Sequence, residues 1–249
     1  MQSDSAPPRQ TATFPATRWS VVAAAGTKDG RASLALAELC QLYWYPLYAY
    51  ARRRGLSPED AEDATQRFFT TILERNFFAD ADPAKGRLRS FLLKAFAFDL
   101  ADANRQARRL KRGGAAEMVS FDRELAEDRY QGEREITEPA SQFDLAWATT
   151  VLEGAVRTVE EQYHTSGRGA LFDALRPCLG NSPRETPEKI PAAASLGLSE
   201  VALRQAISRL RDRFRTALRA QIADTLREPT EEAINEELRG LREALVATQ

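Results

Sequence analysis

The chain is poor in the residues that build metal centres and covalent cross-links. Its 249 residues include two cysteines, one histidine and two methionines. Cys40 and Cys178 lie far apart on apolar patterns, so we expect two small buried thiols rather than a disulfide framework. With His164 as the single imidazole, the chain also lacks the usual ligands of a zinc site. The sequence therefore predicts no metal and no cofactor.

Net charge and long apolar runs are also scarce. A formal charge of −1 argues against a nonspecific polycationic coat for nucleic acid. The charge is nevertheless segregated, with basic clusters near 105–112 and 204–219 and acidic clusters near 59–63, 122–138 and 228–243. No apolar run approaches the length of a membrane span, and the polar, proline-containing start does not resemble a signal peptide. We expect a cytoplasmic protein with no membrane partner.

Apolar residues recur at helical spacing through most of the chain, which predicts an all-α fold. The first pattern runs from Leu34 to Tyr50, as one or two helices interrupted or kinked at Pro46. The predicted organisation is a disordered leader (1–16), a helical domain (17–113), an acidic linker (114–144), a second helical domain (145–227) and an acidic amphipathic tail helix (228–249).

The segment from Ala192 to Arg215 has the parts of a helix-turn-helix. Small residues are followed by Gly197 in a tight turn, by Ser199 as a helix cap and by a basic amphipathic helix. Val201 or Ala202 begins its inward stripe, which continues with Leu203, Ile207, Leu210 and Phe214. The outward side carries Arg204, Gln205, Ser208, Arg209, Arg211, Arg213 and Arg215. Such a helix is suited to phosphates and base edges, so the pattern indicates duplex DNA.

A second helix, beginning at Ser57 with Pro58 in its first turn, has an acidic outer side. Its buried stripe is Ala61, Thr65, Phe68, Phe69, Ile72 and Leu73. The acidic residues favour the helix N-terminus through its dipole. They are also suited to docking a basic partner, whereas no histidine or further carboxylate cluster completes an acid–base or metal site there.

A third helical pattern, from Arg87 to Leu110, combines aromatic and basic residues. Phe91, Phe96 and Phe98 stand among basic residues, namely Lys85, Arg87, Arg89, Lys94, Arg105, Arg108 and Arg109. We expect most of these rings in the core. Aromatic rings within a basic frame, after a glycine-containing loop, are also how proteins hold unstacked single-stranded bases.

Together these segments resemble a known family. Residues 50–69 and 87–95 are similar to region 2, and residues 196–215 to region 4, of bacterial sigma-70-family factors of the extracytoplasmic-function group. The leader segment Thr13–Ser20 and the segment Ile222–Leu226 resemble a subgroup found with serine/threonine kinases. The similarity covers about 17–112 and 145–226, in the family's order.

The resemblance implies a role for each segment. Core RNA polymerase would be bound by Asp60, Glu62, Asp63 and Gln66. The promoter −10 element would be bound by Lys85, Arg87, Arg89, Lys94, Phe98, Arg105, Arg108 and Arg109. The −35 element would be bound by Ser199, Arg204, Gln205, Ser208, Arg209, Arg213 and Arg215. An anti-sigma factor or a serine/threonine kinase is left open as a regulatory partner.

Other functions are weighed against this one. A helix-turn-helix repressor or activator that acts without binding core polymerase would explain the basic helix but not the acidic one. A helical adaptor without DNA contacts would leave the arginine face unexplained. An enzyme would need a nucleophile–base constellation or a phosphate-binding loop, and the sequence offers neither, so we expect no catalytic activity.

The tail predicts a helix after Pro229. Ile234, Leu238, Leu241 and Leu245 form an apolar stripe on an otherwise acidic segment. This helix either docks on the basic DNA-reading helix and competes with promoter phosphates, or packs on the back of the domain to complete its core.

Overall fold

In a computed structural model, the described residues (30–74, 87–107, 123–132, 138–180, 197–226 and 228–247) form helices and contain no strand. The all-α prediction is confirmed for this part of the chain. The helices are α1 (Gly30–Arg53), α2 (Pro58–Glu74), α3 (Leu88–Ala107), α4 (Arg123–Gly132), α5 (Pro139–Thr165), α6 (Gly169–Leu175), a 3-10 turn (Arg176–Leu179), α7 (Glu200–Asp224) and α8 (Glu231–Val246). Within these residues every helix is either too short or too polar to cross a lipid bilayer.

Helix α1 runs unbroken through Pro46. The interruption considered from the sequence does not occur, because the neighbouring side chains, such as Tyr43, Leu47 and Tyr48, are buried and hold the helix together around the missing hydrogen bond. The helix ends at Arg53 and is followed by Gly55, whose φ of +89° is in the left-handed region. There the Leu56 amide donates to the Ala51 carbonyl at 3.2 Å, which closes a Schellman motif.

Helix α5 is the centre of the molecule and packs against α1, α6, α7 and α8. Its first half, including Phe143, Trp147 and Val151, shares one core with α1, α2, α3, α4 and α8. Its second half, including Val159 and Tyr163, shares another with α6, the 3-10 turn and α7. The two cores therefore meet along α5, and the predicted boundary between linker and second domain falls inside this helix.

Helix α4 lies within the segment predicted as an acidic linker, and it is fastened to α1. Glu127 accepts hydrogen bonds from Arg52 Nε at 2.9 Å, Arg52 Nη2 at 2.8 Å and the Tyr48 hydroxyl at 2.6 Å. These bonds lower the pKa of Glu127 to about 2, principally through Arg52, against the opposing effect of burial. Because the guanidinium donates two hydrogen bonds to the carboxylate, this contact fixes the position of α4 relative to α1 in addition to pairing the two charges.

The Glu127 contact gives a pH-dependent prediction. A carboxyl group whose pKa is lowered on folding stabilises the protein above its ordinary pKa of 4.5, and that contribution is lost as the pH falls towards about 2. Glu127→Gln should lower the free energy of unfolding by about 1.5–3 kcal/mol at neutral pH, and the difference from wild type should shrink below about pH 4.5. Urea unfolding between pH 7 and pH 2.5 measures it, with exposed Glu124→Gln on the same helix as the control. A difference that does not change with pH would contradict the assignment.

Thr230 is the N-cap of α8, and its hydroxyl accepts from the Ala233 amide at 3.2 Å. Ile234 and Leu241 are buried against the core, while Leu238 and Leu245 are half-buried. At the C-terminal part of α7, Arg219 contacts Glu231 and donates to Asn235 Oδ1 at 2.9 Å. The tail thus packs on the body of the molecule.

Candidate nucleic-acid interface

The start of α7 has the geometry that the sequence predicts. Gly197 has a φ of +61°, which a residue with a side chain rarely adopts. Ser199 is the N-cap, and its hydroxyl accepts from the Ala202 amide at 3.3 Å. The short first helix expected around 192–196 lies outside the described residues.

The inward side of α7 packs on α5, α6 and the 3-10 turn. Leu203, Ile207 and Leu210 are buried there. Of the two alternatives for the first position of this stripe, Val201 is 65% exposed, whereas Ala202 is half-buried. This packing determines which side of the helix faces outward.

The outward side presents the polar residues assigned to the −35 element. Arg204, Gln205, Ser208 and Arg209 are all exposed. Arg204 pairs with Glu200, and Arg209 Nε donates to the Gln205 carbonyl at 3.2 Å. Contacts of this kind within one exposed helix contribute little stability, so another partner can replace them readily.

Farther along α7 the arginines differ in their surroundings. The exposed Arg213 places its guanidinium 5.0 Å from the centre of the Tyr163 ring, and Arg215 pairs with Asp212 at 2.8 Å. Arg211, expected on the outer side, instead donates to the Cys178 carbonyl at 3.1 and 3.2 Å. It therefore fixes the 3-10 turn against α7. Arg211 lies one helical turn after the buried Ile207, at the edge of the apolar stripe. This position is the sequence signal that its side chain can pack against a neighbouring element.

Only part of the predicted −10 surface can be located. Lys94 is exposed and the Phe98 side chain is 70% exposed on α3, whereas Phe96 is buried and Phe91 is half-buried. Lys85, Arg108 and Arg109 lie outside the described residues, as does the side chain of Arg105. An exposed Phe98 ring is compatible with stacking on a base.

Arg87, just before α3, contacts α8, and Arg89, in the first turn of α3, contacts α8 and α5. Arg87 pairs with Glu236 at 2.7 Å and with Glu237 at 2.9 Å. Arg89 is 6% exposed and pairs with Asp144 at 2.6 Å and with Glu237 at 3.1 Å. In this arrangement Arg89 is not accessible to a nucleic acid.

The buried acid Glu237 was missed by sequence reasoning, although a signal for it exists. It lies between Ile234 and Leu241 on the apolar side of α8, and it is 3% exposed. A carboxylate inside an apolar stripe requires a cation opposite, because an unpaired buried charge is strongly unfavourable. Its partners could not be identified, since they stand about 150 residues earlier in the chain.

The acidic side of α2 is exposed at Asp60 and Asp63 and half-buried at Glu62 and Gln66. The Ser57 hydroxyl caps the helix by accepting from the Asp60 amide at 3.1 Å. Gln66 Nε2 donates to Glu62 Oε1 at 3.1 Å, and Arg123 of α4 lies 3.7 Å from Glu62. A cation already approaches this face, through a long contact that contributes little.

One cluster has the residue types of a metal site. The side chains of Glu160, His164 and Asp173 bring one ligand atom each to within 4.8 Å of one another. His164 and Asp173 are exposed, and exposed acidic groups commonly meet in this way without an ion. The His164 ring also lies over Gly169, where any side chain would collide with it.

Comparisons of the chain with protein-family models, with curated proteins and with solved structures found no match.

Proposed function

We propose that this protein is an RNA polymerase sigma factor. In this proposal, α2 binds the core polymerase, α3 opens and reads the −10 element, and α7 reads the −35 element of duplex DNA. The protein works in the cytoplasm, and the chemistry of RNA synthesis belongs to the polymerase. Its regulatory partner is an anti-sigma factor or a serine/threonine kinase.

The observation that carries the proposal is the outward side of α7. Arg204, Gln205 and Arg209 stand exposed within the first three turns of a capped helix whose opposite side is buried. Guanidinium and amide groups at such positions pair with guanine and adenine edges in the major groove. The exposed acids of α2, on a separate helix, add a surface that a DNA-binding module alone does not require.

The proposal is tested by run-off transcription with core polymerase and promoter fragments from the host genome. RNA of a defined length should form only when both the protein and the core enzyme are present. Footprinting of the same fragments should show protection of two separate elements only with polymerase. Protection of a palindromic site by the protein alone would favour the helix-turn-helix repressor instead.

A further inference from the structure

Helix α8 places two adjacent carboxylates on Arg87, just before α3, and Arg89, in the first turn of α3. Glu236 and Glu237 contact Arg87, and Glu237 also contacts Arg89. From the described part of the chain, neither Glu237 oxygen accepts a hydrogen bond, so its contacts with the two guanidiniums are ionic. The carboxylates of Glu236 and Glu237 therefore pair with the positive charges of both arginines.

The Arg89 guanidinium is enclosed on three sides. Its guanidinium carbon lies 4.5 Å from the centre of the Trp147 ring, and Asp144 pairs with it from α5. On α8, Gly240 lies so close that any side chain there would collide with Arg89. Glycine inside a helix lowers helix stability by about 1 kcal/mol relative to alanine. A glycine at position 240 is therefore compatible with a need for space for the Arg89 side chain.

These contacts hold α8 against the two arginines, and burial of the carboxylates opposes the attraction between the charges. Burial raises the pKa of Glu237 and of Asp144 in spite of the arginines beside them, which means that loss of hydration outweighs the attraction. Buried ion pairs often break even in this way. A guanidinium that pairs with carboxylates also pairs with phosphates, through the same fork of donors.

We infer that α8 is an autoinhibitory segment whose Glu236 and Glu237 stand in for the phosphates of single-stranded DNA on Arg87 and Arg89. The strand binds these arginines only after α8 has left them. The inference rests on the proposed function for the ligand of α3. A groove of about 400 Å³ opens beside the contact, and Arg87, Arg89 and Gly240 line it together with the acidic Asp144 and Glu243.

The inference is tested in the full chain by the double variant Glu236→Gln/Glu237→Gln. The control is Glu228→Gln/Glu232→Gln, which removes the same charge from two exposed residues of the same segment. A second variant, Gly240→Val, displaces Arg89 without changing any charge. Binding of a fluorescent single-stranded oligonucleotide is measured across salt concentrations, and circular dichroism confirms that each variant is folded.

If α8 occupies the arginines in about nine-tenths of the molecules, its release should tighten oligonucleotide binding about tenfold. The dependence of affinity on salt should steepen by about 1.4 in slope, as expected for two additional phosphate contacts. When Arg87→Gln is added, the gain in slope should fall to about 0.7, because one of the two phosphate contacts is lost. Affinity and slope equal to those of the control variant would overturn the inference, and would leave the contact as core packing only.

The failure of this inference can be told from the failure of the proposed function. If the double variant binds the oligonucleotide like the control and the wild-type protein directs run-off transcription, the autoinhibitory role alone is overturned. If the double variant binds the oligonucleotide more tightly but the wild-type protein directs no transcription from any fragment, the release of α8 is supported and the sigma-factor assignment is overturned.

Discussion

Replacing Asp60, Glu62 and Asp63 together by lysine is expected to weaken binding to core RNA polymerase at least about 100-fold, which corresponds to about 2.8 kcal/mol. Reversing the charge sets like charges against a basic partner, and such juxtapositions cost several kcal/mol. Asp60 and Asp63 are exposed and Glu62 is half-buried, so the substitutions create no cavity. The prediction depends on the proposed function, because the partner is identified by it.

The variant must be separated from a simple loss of stability or a change in net charge. Of the three residues, Asp60 lies in the first turn of α2 and stabilises the helix through its dipole by about 0.3–1 kcal/mol, so some loss of thermal stability is expected. The control Glu124→Lys/Asp128→Lys/Glu161→Lys makes the same change in charge at three other exposed positions. Co-purification and equilibrium binding with core polymerase are measured for both. Equal affinity of the two variants would exclude the acidic side of α2 as the docking face.

The features that could be predicted from the sequence are those that depend on neighbouring residues. The caps at Ser57 and Ser199 and the turn at Gly55 follow from hydrogen bonds that close over three to five residues. The buried stripes of α2 and α7 follow from the period of the helix. For this reason the arginines proposed to read the −35 element are exposed on the outer side of α7, and Asp60 and Asp63 are exposed on α2, whereas Glu62 and Gln66 are half-buried.

The features that could not be predicted depend on distant pairs. The basic segment around Arg89 suggests an exposed arginine, yet this side chain is buried against Trp147 and two acids from other helices. Arg52 meets Glu127 across 75 residues. The partner of neither arginine can be assigned from the sequence, because the geometry of each pair is fixed only when α4, α5 and α8 have packed. Helix α1 likewise continues through Pro46 because tertiary burial outweighs one missing hydrogen bond.

Substituting Arg204 or Arg209 by alanine is expected to change which base is preferred at one position of the −35 element. An arginine that pairs with a guanine edge contributes about 1–3 kcal/mol of discrimination, so each variant should lose about fivefold to 150-fold in affinity for the best sequence. Both side chains are exposed on the outer side of α7, opposite the buried Leu203 and Ile207. The substitutions should therefore leave the fold intact.

Arg215→Ala is the matched control, because it removes the same charge from an exposed residue farther along α7. We assign Arg215 to a phosphate, which is the same for every sequence. Its loss should lower affinity for all −35 sequences alike and reduce the slope of affinity against salt by about 0.9. Binding of the polymerase complex to a library that varies every −35 position measures both effects. An unchanged base preference in both Arg204→Ala and Arg209→Ala would show that α7 does not read bases through these residues.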